Sequence, residues 1–284
     1  MRPHLVLDSP YPLEGSKLRF LEPSDRDKPS LWVQLCDGNY NKPFILDCGP
    51  TRSLHLDLDA VQSVMQTDDP GGLILAYTRM MMAFLFFQPS PTRILLLGLG
   101  GGSLAKFCHR RLPNTALTAV EINGDVIAFR EEFSIPADDD RFRVVHGDAA
   151  IYVAQASPCK DVILADACDR GGTARELDCA EFYANAHRCL RSGGIFVINL
   201  CGDPHRRVAH LCRLRQVFGD DIFTLQVRRG GNLIALAFKG RRPEIRPDRL
   251  QATAQDLKRR FGLNFPRFAR QITLEEQLGH LRQV

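Results

Sequence analysis

Hydrophobic and polar positions divide the chain into three regions. From residue 1 to about 75 the apolar runs are short: LRFL at 18–21, LWVQLC at 31–36, PFILDC at 43–48 and SLHLDL at 53–58. Turn-forming triplets, Asp37-Gly38-Asn39 and Cys48-Gly49-Pro50, interrupt them, and the pattern predicts a small antiparallel β domain. A helix is expected from about Leu73 to Phe87, stopped by Pro89 and Pro91, with the Met80-Met81-Met82 run packed under the sheet. From Thr92 the rhythm becomes strand, turn, helix. RILLLG (93–98) is continuously apolar, as a strand covered on both faces should be. A helix over 103–111 follows, then strand 116–122, helix 123–133, strand 142–147, a helix around 149–156, strand 161–166, helix 179–191 and a strand in the 195–201 region. A helix over 205–217 and two strands, 222–227 and 232–238, complete the series. Arg228-Arg229-Gly230-Gly231 join those two strands as a hairpin, so the predicted α/β domain (76–240) ends in an antiparallel strand. Residues 241–284 are expected to add a basic helical extension. Leu250, Ala254, Leu257 and Phe261 recur at helical spacing and Gly262 can end that helix.

Composition narrows the function classes. A formal net charge of +4 over 284 residues gives no electrostatic case for nucleic acid or an anionic membrane. The longest apolar run, Met80 to Phe87, is far short of the ~20 residues of a bilayer helix. The opening segment lacks the apolar stretch of a signal peptide, so a cytoplasmic protein is expected. Nine cysteines without a C-x-x-C pair read as free, largely buried thiols rather than disulfides or metal ligands. The histidines form no H-x-x-x-H or HExxH pattern, and no metal site is expected.

The chemistry concentrates at predicted strand ends. Gly98-Leu99-Gly100-Gly101-Gly102-Ser103 follows an apolar strand and precedes a helix, where glycines let backbone approach a ligand closely. Ser103 stands where a dinucleotide fingerprint would want its last glycine. Glu121 ends the next strand, 23 residues after Gly98, at the place where a carboxylate accepts bonds from ribose hydroxyls. Asp148 and Ala149 follow the third strand, beside an adenine position; Asp148 is equally suited to cap the next helix. Asp166 ends the fourth strand and Asp169 follows in the same loop, two acids suited to deprotonating an incoming amine.

In order and spacing, ILLLGLGGGSLAKF, VEIN, HGDAAIYV, ILADACD and AEFYANAHRCLRSGGIFVIN resemble the spermidine synthase family of polyamine aminopropyltransferases. The likeness covers about residues 44–240. It implies a class I methyltransferase-like Rossmann fold, a seven-stranded sheet with an antiparallel last strand, behind a small N-terminal β domain. It also implies decarboxylated S-adenosylmethionine as donor, a polyamine acceptor, methylthioadenosine as by-product and a homodimer. By position, Gly98, Gly100, Gly101, Gly102, Glu121, Ile122, Asp148 and Ala149 would bind the donor. Asp166 would accept the proton and Asp169 would stand on the acceptor side.

Three features depart from the family pattern. Its glycine loop reads GGGDGG, with an Asp holding the donor's propylamine end; Gly101 occupies that place. The Tyr-His/Gln-Glu cluster before the first Rossmann strand has no counterpart as a cluster in DDPGGLILAYTRMM. The loop D-P-x-G-P-A-E becomes Asp169 followed by Arg170, Gly171, Gly172, Thr173, Ala174 and Arg175, and two inward-pointing arginines would repel a polyamine. These departures keep two alternatives open: a methyltransferase using intact S-adenosylmethionine, and a non-catalytic adenosyl-binding homologue.

Overall fold

A computed structural model describes residues 5–9, 15–169, 171–220, 222–227 and 231–282. Five strands form an N-terminal antiparallel sheet in sequential order: β1 (Leu5–Asp8), β2 (Lys17–Phe20), β3 (Phe44–Cys48), β4 (Thr51–His55) and β5 (Val61–Gln66). Helix α1 (Lys28–Cys36) lies between β2 and β3. The alternation in LWVQLC predicts an extended run, but the segment is helical. Asp27 caps the helix by accepting from the Ser30 amide, Pro29 sits in its first turn, and Leu31 and Leu35, four apart, are buried while Val33 is exposed. Strands β1 and β5 were not anticipated. The long pre-Rossmann helix is shorter than its pattern: α2 spans Ala76–Met81, and Met82–Phe86 tighten into a 3₁₀ turn.

The second sheet has seven strands. Its parallel part comprises β6 (Arg93–Leu97), β7 (Ala116–Glu121), β8 (Phe142–His146), β9 (Lys160–Ala165) and β12 (Leu190–Leu200). Two short strands, β10 (Cys168–Asp169) and β11 (Gly172–Thr173), form a separate hairpin after β9. Strands β13 (Ile222–Gln226) and β14 (Leu233–Phe238) close the sheet, with β14 antiparallel to both neighbours. The spatial order β13-β14-β12-β9-β6-β7-β8 reverses direction of growth at β6, which places a topological switch point beside β9.

Side-chain alternation explains why these strands read as unbroken apolar runs. Ile94, Leu96, Val162, Leu164, Ile195 and Val197 face one core. Leu95, Leu97, Ile163, Ala165, Phe196 and Ile198 face the other. The first core also holds residues of α2, α3 (Ser103–Arg111), α4 (Gly124–Ala128), α8 (Pro247–Phe261) and α9 (Phe265–Arg282), together with Ile45, Leu54 and Met65 of the N-terminal sheet. The second holds residues of α5 (Ala149–Gln155), α6 (Ala180–Cys189) and α7 (Pro204–Phe218). The methionine run lies in the first core, with Met80, Met81 and Met82 all buried. The C-terminal region contains a second helix, α9, beyond the one its spacing announced; Phe265, Phe268 and Ile272 bury its inner face.

Candidate active site

The carboxyl ends of β6, β7, β9 and β12 open into a cavity of about 840 Å³, roofed by residues 54–63 of the N-terminal sheet and by the start of α2. Its geometry begins at Gly98. This residue has φ +95°, and a Cβ there would lie 2.4 Å from the Asp166 carbonyl oxygen, so the β6 and β9 loops can approach only through glycine. The Leu97 carbonyl accepts from the Asp166 amide at 2.8 Å, which fixes the carboxylate of β9 beside the glycine turn.

Glu121 is buried at the end of β7 and clamps that turn. Its Oε2 accepts from the Leu99 amide at 2.8 Å and the Gly100 amide at 3.4 Å, while Oε1 accepts from the Asn123 amide at 2.9 Å. A carboxylate offers about four acceptor directions, so capacity remains for a hydroxyl in the cavity. Ile122, next to it, exposes 59% of its surface at the rim and its carbonyl accepts from His146 at 3.0 Å. Asp148 caps α5, accepting from the amides of Ala150 (2.6 Å) and Ile151 (3.1 Å), and with Ala149 it also lines the cavity.

Asp166 lies on the cavity floor within a polar chain. Its Oδ1 accepts from Asn199 Nδ2 at 2.9 Å, and Asn199 Oδ1 accepts from Asn232 Nδ2, also at 2.9 Å. On the other side the Tyr77 hydroxyl bonds Asp166. Burial pushes the Asp166 carboxyl up to about 6, against the opposing pull of the Asn199 and Tyr77 hydrogen bonds. Burial, and then the neighbouring carboxylate, hold the Tyr77 phenol well above its ordinary value, so the tyrosine is the donor of that bond. Tyr77, Asn199 and Asn232 were all missed in the sequence. Tyr77 was the traceable one: it is the single tyrosine of the segment that lacks the family's three-residue cluster. Asn199 and Asn232 carry no local signal, because only the β12–β14 pairing brings them together.

Of the residues singled out in the sequence, Gly98, Gly100, Glu121, Ile122, Asp148, Ala149, Asp166 and Asp169 line the cavity. Gly101 and Gly102 are not among the lining residues; they turn toward the protein. A Cβ on Gly101 would meet Phe133 at 2.8 Å and Ser63 at 2.9 Å, and one on Gly102 would meet Ile135 at 2.4 Å. The absence of an Asp at 101 is thus matched by its surroundings, which leave no room for a side chain.

Two further expectations change. Arg175 is exposed and does not line the cavity: the 3₁₀ turn Arg175–Leu177 buries Leu177 and brings Glu176 to the wall. Arg170 lies outside the described residues. The cavity wall carries six carboxylates (Asp59, Glu121, Asp148, Asp166, Asp169 and Glu176) and, among the described residues, no Lys, Arg or His. The reading of all nine cysteines as free thiols is also overturned, since Cys168 of β10 is bonded through sulfur to Cys201 at the end of β12. Their spacing of 33 residues is uninformative until the β9 and β12 ends are side by side. Among the described residues no cluster of three or more His, Cys, Asp or Glu side chains could hold a metal ion.

A switch-point crevice, a glycine turn clamped by a strand-end acid, and an antiparallel β14 define the class I methyltransferase-like fold. The same architecture is found in human methyltransferase-like protein 13 bound to SAH (TM-score 0.60, 25% identity, 66% of this chain and 93% of that one). It is found again in a probable spermidine synthase from Corynebacterium glutamicum (TM-score 0.63, 19% identity, 89% of this chain and 87% of that one), a likeness of fold alone. Sequence is more specific. Residues 74–223 match the model of the spermine/spermidine synthase domain. The polyamine aminopropyltransferase of Chromobacterium violaceum is 36% identical over 236 residues, covering 82% of this chain and 90% of the relative. That of Neisseria meningitidis serogroup A is 37% identical over 221 residues, covering 77% and 84%. The chain belongs to the spermine/spermidine synthase family.

Proposed function

We propose that the protein transfers an aminopropyl group from decarboxylated S-adenosylmethionine to an amine acceptor, releasing methylthioadenosine. The observation that carries this reading is the cavity wall, with six carboxylates and no basic side chain among the described residues. Such a wall attracts a sulfonium donor and a polycationic acceptor, and it offers no cation to the methionine carboxylate of the intact donor. The names of the relatives point the same way.

In this reading Glu121 and the turn 98–100 hold the nucleoside, with Ile122, Asp148 and Ala149 beside the base. The donor supplies a propyl carbon activated by its sulfonium. Asp166 takes a proton from the acceptor amine, freeing the lone pair that forms the new C–N bond as the C–S bond breaks. Tyr77 and Asn199 keep the carboxylate aimed into the cavity and, by donating to it, favour its ionised form. Asp169 and Glu176 offer charge to the remaining amines of the acceptor. A cytoplasmic homodimer completes the proposal; no helix among the described residues is long and apolar enough to cross a membrane.

Calorimetric titration with methylthioadenosine, intact S-adenosylmethionine and its decarboxylated form tests it. Tighter binding of the decarboxylated donor, followed by transfer to a diamine detected by mass spectrometry, is the expected result. Preference for the intact donor would make the protein a methyltransferase, and binding without transfer to any amine would make it a non-catalytic homologue.

A further inference from the structure

We infer that Cys168 and Cys201 form a reversible thiol modification site that takes a low-molecular-weight disulfide oxidant and locks one wall of the active-site cavity. Both cysteines line the cavity and both are only partly buried. Cys168 stands between the two acids of the loop, two residues after Asp166 and one before Asp169. Cys201 follows Asn199, the residue that holds Asp166, by two. Asn199 Nδ2 reaches both, at 2.9 Å from Asp166 Oδ1 and 3.9 Å from the Cys168 sulfur.

What the cross-link fixes is the β10–β11 hairpin. Besides it, the hairpin is anchored on β12 at its second strand, where the buried Thr173 donates from its amide to the Cys201 carbonyl and from Oγ1 to the Asn199 backbone carbonyl, both at 3.4 Å, while Cys168 and Asp169 of the first strand have no such backbone anchor on β12 among the described residues. A single bridge joins Gly172 to Gly202, the Cys201 amide donates to Thr173 Oγ1 at 3.2 Å, and Arg206 donates to the carbonyls of Gly171 (3.3 Å) and Thr173 (2.9 Å). Neither cysteine belongs to a buried core cluster, so the bond adds nothing to the packing that holds the fold. Its effect falls on Asp169, Gly171 and Gly172, which are wall residues. Solvent-accessible disulfides of this kind are the readily reduced ones.

The chemistry balances with a glutathione-type disulfide. One cysteine thiolate attacks the oxidant, releasing one small thiol and leaving a mixed disulfide; the second thiolate attacks that sulfur and releases the other. The protein pair gives up two electrons and two protons, and the oxidant becomes two thiols. In the dithiol state Cys168 and Asp169 can move about the Thr173 anchor and admit the acceptor. In the disulfide state Asp169 and the wall are held in place and exchange of substrate and product slows.

The consequence for turnover rests on the proposed aminopropyl transfer, but the site does not, and the test separates them. The full chain is treated with oxidised glutathione or with dithiothreitol and followed three ways: peptide mapping without reduction, tryptic nicking after the exposed Arg175, and aminopropyl transfer. Expected on oxidation are a linked Cys168–Cys201 peptide, slower nicking, and transfer reduced by about tenfold, all reversed by dithiothreitol. The double variant Cys168→Ser/Cys201→Ser, compared with its own reduced form, should change in neither nicking nor rate; if it fails to fold, Cys168→Ala alone serves. Absence of the linked peptide under excess oxidant overturns the site. A linked peptide with unchanged nicking and unchanged transfer overturns the lock. Should neither form transfer an aminopropyl group, mapping and nicking still decide this proposal, and the failure falls on the proposed function alone.

Discussion

Asp166 carries two opposed obligations. As a base it must be ionised, yet burial holds its carboxyl at about 6, above the ordinary carboxylate value of 3.8. Turnover should therefore rise as pH increases through about 6 and level off above it, and a pH–rate profile checks the acid limb. Tyr77→Phe removes a bond that favours the ionised form, so the limb should move to higher pH while nucleoside affinity changes little. Asp166→Asn should cut transfer by roughly 10²–10⁴-fold. The same substitution should stabilise the fold at pH 8. A raised carboxyl pKa costs stability wherever the folded protein must ionise it, a penalty present above about 6 and gone below the unfolded value near 4. Thermal melts at pH 8 should show a gain on the order of 1–3 kcal/mol that disappears by pH 4. Glu121 differs, because its carboxylate already holds three backbone amides. Glu121→Ala should weaken methylthioadenosine binding by at least ~1.5–3 kcal/mol in calorimetry, since the turn loosens as the ligand bonds are lost.

At the scale of elements, the glycine turn is set by what packs beneath it. Gly101 faces Phe133 and Ser63, and Ser63 Oγ lies 3.3 Å from Ser103 Oγ, which ties β5 to the start of α3. Restoring the family's acid by Gly101→Asp should give no gain in transfer and should lower the melting point, with overpacking costing about 1–3 kcal/mol. Elements also show where pattern reading works. Strands β6 and β9 match the pattern to within one residue because their central positions are buried on both faces, whereas β12 begins at Leu190, five residues before the expected start, and the edge strand β8 is half-exposed. The segment 31–36 misled because Leu31, Val33 and Leu35 alternate as a strand would, while Asp27 and Pro29 just upstream were the stronger helix-start signal. Strands β1 and β5 are half-polar and short, and they exist only as partners of β2 and β4.

For the whole molecule, one buried cluster runs from Ile45, Leu54 and Met65 of the N-terminal sheet through α2 and α3 to Phe261 and Phe265 of the C-terminal helices. A shared core of this kind predicts a single calorimetric unfolding transition rather than separate melting of three regions. It also predicts that a chain ending at 240 will be poorly soluble, since removing α8 and α9 uncovers Phe86, Phe107 and Phe223. What the amino-acid order settled alone was local: the β-α rhythm, the glycine turn and the acids at strand ends, because each is written within one element and its adjoining turn. Tertiary structure decided what those acids mean. Only packing of α2 onto the sheet brings Tyr77 to Asp166, and only the pairing of β12 with β14 lines up Asn232 and Asn199 behind it. Only the fold shows that Gly101 turns away from the cavity, that Arg175 lies off its wall, and that Cys168 meets Cys201. The pairs Tyr77–Asp166, Asn199–Asn232 and Cys168–Cys201 lie 33 to 89 positions apart, and no local pattern records which distant side chains will share a cavity.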